Sequence, residues 1–371
     1  MSHAYEQLEE RQRLEASTSL VKTYLIEAHA LGQANHERVL RTIRGKFTPE
    51  VLGTRRPVRI RQTEDQMFFN VQIGNENDNT FFYVDASNPR FWLVHTASKS
   101  TIADPLVQKL ILNTEDFDNT WLPIQLLTRI AGFGILRGLG LDYDRRAVPD
   151  IDFEQPAAPV QFLKMQLWGN RSQDVLAILS GREAFPDATT LSKVKVKYLL
   201  DRQDEAFCIA DIKYDGKITG RGTSYQSYIG LVTNLYRDYA RRILDFEQRF
   251  TISVESRNEN HFRFVGEPLN FVFSHPIENL ASFCEKVFSG AQPFRLMGVP
   301  ISTGVDSFRV IAIDLHVGCR LTFEIFPRLM RAYLAPGSCG NSLARIYTNL
   351  QHYYNSRVEA LDGDQARPFE A

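Results

Sequence analysis

The chain has 371 residues, with 43 lysines and arginines against 44 aspartates and glutamates. That length suits two or three domains, and so even a charge balance excludes a protein that coats polyanions with its whole surface; any electrostatic function must be local. Cys208, Cys284, Cys319 and Cys339 stand at wide, irregular spacings without a C-x-x-C pair, which excludes a zinc knuckle and fits a reducing compartment.

Residues 4 to 45 read as helix. Leu20, Val21, Tyr24, Leu25, Ala28 and Leu31 recur at steps of three and four, Glu9, Arg11, Arg13 and Lys22 supply polar faces, and Gly32 to Asn35 splits the helix in two. After Pro57 the period changes to two. Val58 to Arg61, Met67 to Ile73, Phe81 to Val84 and Phe91 to His95 form an antiparallel meander, with turns at Asn75 to Asn79 and Ser87 to Pro89. A helix follows over Thr101 to Leu112. The glycine-rich run Gly132 to Gly140 lacks the preceding strand and following acid of a dinucleotide fingerprint and is expected to be a turn. Pro149, Pro156 and Pro159 among acids and alanines mark a linker.

The opening residues are charged where an export signal needs an apolar core. The apolar run from Trp121 to Leu139 is broken by Gln125, Thr128, Arg129 and Arg137, short of the ~20 residues that cross a bilayer. A cytoplasmic protein with no membrane partner is expected.

Beyond the linker, strand 161–168 and helix 173–179 lead to strands 193–200, 206–213 and 217–221 and a closing helix from Ser224 to about Phe250. The order recurs: strand 270–273, helix 277–288, hairpin 308–326 and helix 341–361. The closing helices share Thr233-Asn234-Leu235 with Tyr239 and Thr348-Asn349-Leu350 with Tyr354. The hairpins share Ile209-Ala210 and Ile311-Ala312, each isoleucine lying seven residues before a turn glycine, Gly216 or Gly318. The expected fold is α+β: N-terminal helices (1–50), an antiparallel α+β domain (51–146), a linker (147–160) and two similar sheet-and-helix units (161–255 and 256–371).

In the first unit Lys193, Lys195 and Lys197 alternate with Val194, Val196 and Tyr198, so one strand face is cationic. With apolar faces in register, Lys213, Lys217 and Arg221 join that face, together with Asp211. Clustered cations of this kind suit a nucleic-acid backbone, because they displace its counterions. The second unit has Arg309, Ile313 and Leu315 at the matching positions, so the patch is not a property of the repeat.

Pro186-Asp187 is followed, 24 residues after the aspartate, by Asp211-Ile212-Lys213. This spacing resembles the PD-(D/E)xK nuclease superfamily, over about 60 residues of the chain. The resemblance implies that Asp187 and Asp211 hold a divalent cation such as magnesium and that Lys213 positions the attacking water, with Glu183 as a fourth member. An extra strand between Lys213 and the closing helix departs from the family pattern.

A coherent acid–base or nucleophile set is otherwise missing from the sequence. The chain is therefore expected to be a non-catalytic binding or assembly protein that needs no cofactor, with nucleic acid as the first partner class and a protein partner or homo-oligomer as the second. The enzyme alternative is a magnesium-dependent nuclease, and a further alternative is an obligate oligomer or scaffold.

Overall fold

In the computed structural model, which describes residues 20–370 apart from 33, 76–77, 149–159, 170, 182–187, 201–205 and 259–260, the chain is an α+β protein built on antiparallel strands. It divides into two units, one holding the described residues up to Thr120 with Ile130–Leu136 and Lys195–Asp238, the other Trp121–Arg129, Arg137–Val194 and Tyr239 onward.

The first unit opens with β1 (Val21–Ala28) and α1 (His36–Lys46), followed by the meander β2 (Val58–Gln62), β3 (Phe68–Asn75), β4 (Asp78–Asp85) and β5 (Phe91–Thr96). Helix α2 (Ser100–Leu112) and the short β6 (Phe117–Asn119) complete the series. The strand order is β2-β3-β4-β5-β1, with β6 also beside β1. Val39 and Ile43 of α1 and Ala103, Val107 and Leu110 of α2 pack with Phe69, Val71, Phe82, Val84, Trp92 and Val94 in one core.

The meander and α2 lie where the alternation of apolar residues places them. Of the helix expected over 4–45 and split at Gly32 to Asn35, the second half forms as His36–Lys46, but the stretch from Val21 does not. Residues 1–19 lie outside the described residues, and Val21–Ala28 is a strand, followed by a 3-10 turn at His29–Leu31 and an α-helix from His36, where Asn35 accepts from the Arg38 N–H. The reason is burial on both faces. Flanked in its sheet by β5 at one edge and by β6 and a later strand at the other, β1 has side chains of both parities buried, so it shows no period of two and its apolar spacing mimics a helix. Lys22, expected on a polar helix face, is buried, and so is Glu27. Arg90 clasps Glu27 through Nε and Nη2, at 2.8 and 2.6 Å from one carboxylate oxygen.

The middle of the chain holds α3 (Ile124–Ala131), β7 (Ile135–Asp144), β8 (Phe162–Trp168), α4 (Ser172–Ser180), β9 (Leu191–Leu199), β10 (Phe207–Lys213), β11 (Lys217–Gly222) and α5 (Tyr225–Phe250). The run Gly132 to Gly140, expected as a turn, enters strand β7. Glycine serves close approach there, since a Cβ on Gly138 would sit 2.6 Å from the Leu167 carbonyl oxygen. The proline-rich linker falls among residues outside the description.

The second unit ends with the hairpin β12 (Ser253–Asn258) and β13 (His261–Val265), then β14 (Leu269–Val272), α6 (Leu280–Val287), β15 (Leu296–Gly304), β16 (Ser307–Asp314), β17 (Arg320–Phe326), β18 (Leu329–Leu334), α7 (Gly340–Tyr353) and β19 (Glu359–Leu361). Here the sheet runs β15-β16-β17-β18-β14-β19. The helix expected over 341–361 stops at Tyr353, and Glu359–Leu361 is a strand on β14.

The strand pairings match between modules other than the two that the sequence pairs. Between 161–255 and 256–371 the order of elements recurs, yet β8 pairs with β7 whereas β14 pairs with β18 and β19. The matching topology is that of the first and last modules. Each is strand, helix, four-stranded meander, helix, strand, and in each the opening strand lies between the last strand of the meander and the final short strand.

Candidate functional site

The cationic strands form as their alternation predicts, with Val194, Val196, Cys208, Ala210, Ile212 and Ile218 buried. Their other face is largely covered too. Lys195 is 5% exposed, its Nζ 3.5 Å from Asp211 Oδ1. Lys217 is buried against α2, its Nζ 2.6 and 2.7 Å from the two oxygens of Asp104 and 3.2 Å from Ser100 Oγ, and Tyr24 OH donates to the same aspartate at 2.5 Å. Burial and the Asp104 carboxylate push the Tyr24 hydroxyl far above its usual range, and burial, then the Lys217 charge, lowers the Lys22 ammonium. Lys197 Nζ lies 4.2 Å from the Phe207 ring centre and Lys193 Nζ 5.9 Å from that of Trp168. Lys213 and Arg221 are half-buried. Asp104 and Tyr24 escape sequence reading because they reach this face from a helix and a strand more than a hundred residues away.

Asp211 and Lys213 share a strand face, as their spacing of two requires. The Asp211 carboxylate faces the Lys195 ammonium, which already supplies positive charge on that side. Asp187 and Glu183 lie outside the described residues, so among the described residues no second carboxylate from the nuclease set stands with Asp211.

Two further polar clusters are sealed. In the first unit Thr23 Oγ1 lies 2.8 Å from His95 Nδ1 and 2.6 Å from Tyr228 OH, all three buried, and burial lowers the His95 ring to about 4 against a weaker upward pull from Asp85. In the second, Asp314 is joined to Arg345, Ser342 and the backbone of His316. Neither presents a reacting atom to solvent.

A cleft of about 440 Å³ in the second unit is lined by Gln125, Val272, Phe273, Ser274, Ser356, Arg357, Val358 and Glu359. At its side Asn355 Nδ2 donates to Ser274 Oγ at 2.8 Å and reaches His275 Nδ1 at 3.2 Å, while Ser274 Oγ is 3.3 Å from that nitrogen. A serine nucleophile needs the imidazole lone pair for its own proton. Here the Asn355 amide competes for that lone pair, so the arrangement suits a held turn rather than an activated serine.

The largest departure from an ordinary surface is the outer face of the β15–β16 hairpin. Leu296, Val310 and Ala312 turn into the core, and the alternate residues Met297, Val299 and Ile301 on β15 and Ile311, Ile313 and Leu315 on or just after β16 face out. Register joins them into two rows, Met297 opposite Ile313 and Val299 opposite Ile311. Their exposure runs from 39% at Leu315 to 75% at Val299, and Val305 at the turn is 99% exposed. Toward β17 and β18 the face becomes polar. Glu324 there accepts from Arg309 at 3.1 Å and from Tyr333 at 2.9 Å, with Arg331 at 3.6 Å. Burial pulls its carboxyl upward, but these partners together hold it below the usual range.

The fold does not demand an aliphatic face. In the matching hairpin of the first module, the outward positions of β2 and β3 carry Arg59 opposite Gln72 and Arg61 opposite Asn70. Pro300 also bears on how β15 is used. Gly298 N–H donates to Phe288 O at 3.1 Å and Leu296 O accepts from Gly290, so these positions direct their backbone away from β16. Pro300, two residues on, turns its donorless nitrogen to the same open edge, which disfavours addition of another strand and leaves the face as the usable surface.

The chain shows 26% identity over 391 aligned positions to the uncharacterized protein MJECL33 of Methanocaldococcus jannaschii, the match covering 96% of this chain and 90% of that protein. The model of the MJECL33-like protein family matches residues 1–368, and the chain belongs to that family.

Proposed function

We propose that this chain is a non-catalytic binding and assembly protein whose docking surface is the aliphatic face of the β15–β16 hairpin. The observation that carries this is the run of outward Met297, Val299, Ile301, Ile311 and Ile313 where the matching hairpin is polar. Contiguous apolar surface of this kind is rare on monomers and marks interaction sites. Free cysteines at all four positions support a reducing, intracellular location, and no helix among the described residues is long and apolar enough to cross a membrane. A photoreactive residue at Ile311 should give covalent adducts with a protein partner, and one at Arg59 on the matching polar face should not. Equal labelling from both positions would count against the assignment.

Nucleic acid is a narrower proposal. With Lys195 and Lys217 engaged by Asp211 and Asp104, phosphate contact would fall to Lys213 and Arg221. Reversing Lys213 and Arg221 to glutamate should then abolish salt-sensitive binding of labelled DNA or RNA; magnesium-dependent cleavage lost in Asp211→Ala would instead favour the nuclease.

A further inference from the structure

We infer that the occupant of this aliphatic face is a second copy of the chain, lying antiparallel across it about a two-fold axis. The inference rests on the docking role proposed above. A two-fold interface requires a surface that complements itself, because the same patch is used on both copies. The aliphatic rows meet that requirement: the one charge within them, Arg309 opposite Ile301, is paired with Glu324, and charges of both signs flank them.

Area and charge both point to this occupant. The outward aliphatic side chains expose roughly 750 Å² per copy, close to the ~800 Å² that each partner buries in a stable complex of standard size. Asp306 stands exposed at the β15–β16 turn, and Arg320 stands exposed at the opposite end of the patch, paired across the strands with Ile313. Among the described residues neither has an ion-pair partner.

An axis at the level of the paired Pro300 and Val310 sets Val299 against Ile301 of the second copy and lays Ile311 along the aliphatic stem of its Arg309. Leu315 then meets Val305 of the second copy, and Arg320 meets its Asp306. A parallel arrangement would set each Asp306 against its own equivalent and leave both arginines unanswered. The charges at the two ends thus select the antiparallel sense, and the aliphatic rows supply the burial.

Sedimentation of the full chain over a range of concentrations tests this directly. Wild type should be dimeric, and Val299→Lys combined with Ile311→Lys should be monomeric with an unchanged circular-dichroism spectrum and melting temperature, since both side chains face outward. Arg320→Asp should weaken self-association by about tenfold, and adding Asp306→Arg should restore it. A dimer indifferent to Val299→Lys and Ile311→Lys, or an Arg320→Asp defect that Asp306→Arg fails to rescue, would overturn the inference. A wild-type monomer whose Ile311 probe still labels a different polypeptide would overturn the second copy while sparing the docking role. A monomer without adducts would remove both.

Discussion

Arg345 on α7 and Asp314 at the end of β16 are both fully buried and joined by an ion pair of 2.5 Å. The pair is completed on both sides. Arg345 Nε donates to the Phe294 carbonyl at 2.9 Å, and Asp314 accepts from the Ser342 hydroxyl and, at 2.9 Å, from the His316 N–H. Burial would raise the Asp314 carboxyl, but the Arg345 and His316 charges and these hydrogen bonds hold it below the usual range. Helix α7 is buried from Gly340 to His352, and such bonds let its polar residues sit inside the protein.

Removing one partner strands the other charge. Arg345→Met should lower stability by about 3–5 kcal/mol in urea unfolding, and Arg345→Met combined with Asp314→Leu should recover a large part of the loss. A double variant as unstable as the sum of the two singles would show that the sites do not couple.

His95 and His352 make stability depend on pH in a defined direction. Burial lowers both rings from 6.5 to about 4, partly offset at His352 by its bond to the Asp142 carbonyl and at His95 by the Asp85 charge. The folded state keeps these rings neutral where the unfolded chain protonates them. Stability is therefore fully present above about pH 6.5 and falls as pH drops toward 4, by up to roughly 3 kcal/mol per histidine. Urea midpoints across this window should shift with pH, and the shift should shrink in His352→Gln. A flat profile would show that both rings gain protons without cost.

Lys217, Asp104 and Tyr24 should act as one unit. Lys217→Met and Asp104→Ala are each expected to destabilise the first unit, with a coupling of about 1–3 kcal/mol in a double-mutant cycle. Strict additivity would mean that the contact is present but energetically idle.

Gly220 on β11 lets the Tyr228 ring lie directly on the sheet, since a Cβ there would come within 2.2 Å of the ring. Gly220→Ala should cost about 1–3 kcal/mol and disturb the hydrogen bond between Tyr228 and Thr23, visible as a change in tyrosine fluorescence. An alanine variant of native stability would mean that α5 can move away freely.

The meander strands from Val58 to Val84 were legible because their residues alternate between core and more exposed positions, while Phe91–Thr96, buried throughout, was marked by its apolar run. Strand β1 was not, because Lys22, Thr23 and Glu27 are polar yet buried by partners far along the chain. The same blindness affected the candidate site. Alternation did place the lysines of β9 on one face, but whether a lysine faces water or an aspartate depends on what packs above it, and Asp104 arrives from α2. The aliphatic rows of β16 were in plain view as Ile311, Ile313 and Leu315 on the parity of the cationic positions. Their meaning emerged only when β15 came to lie beside them and the first module supplied a polar counterpart.

The outer edge of β1 is shared lengthwise: Val21 to Tyr24 pair with β11, and Ile26 to Ala28 pair with β6. On a ribosome these partners emerge far apart in time. Once Asn119 is free of the exit tunnel, the first module has its meander, both helices and the strand that closes the back of β1. The front of β1 must wait with its backbone donors and acceptors open until Lys217 to Gly220 are made. In the last module β14 has no such delay beyond its own closing strand, because β19 covers Asn270 to Val272. The nascent chain therefore carries one half-dressed edge through the synthesis of its entire middle segment, and a pause in translation there would be the moment at which misassembly is easiest.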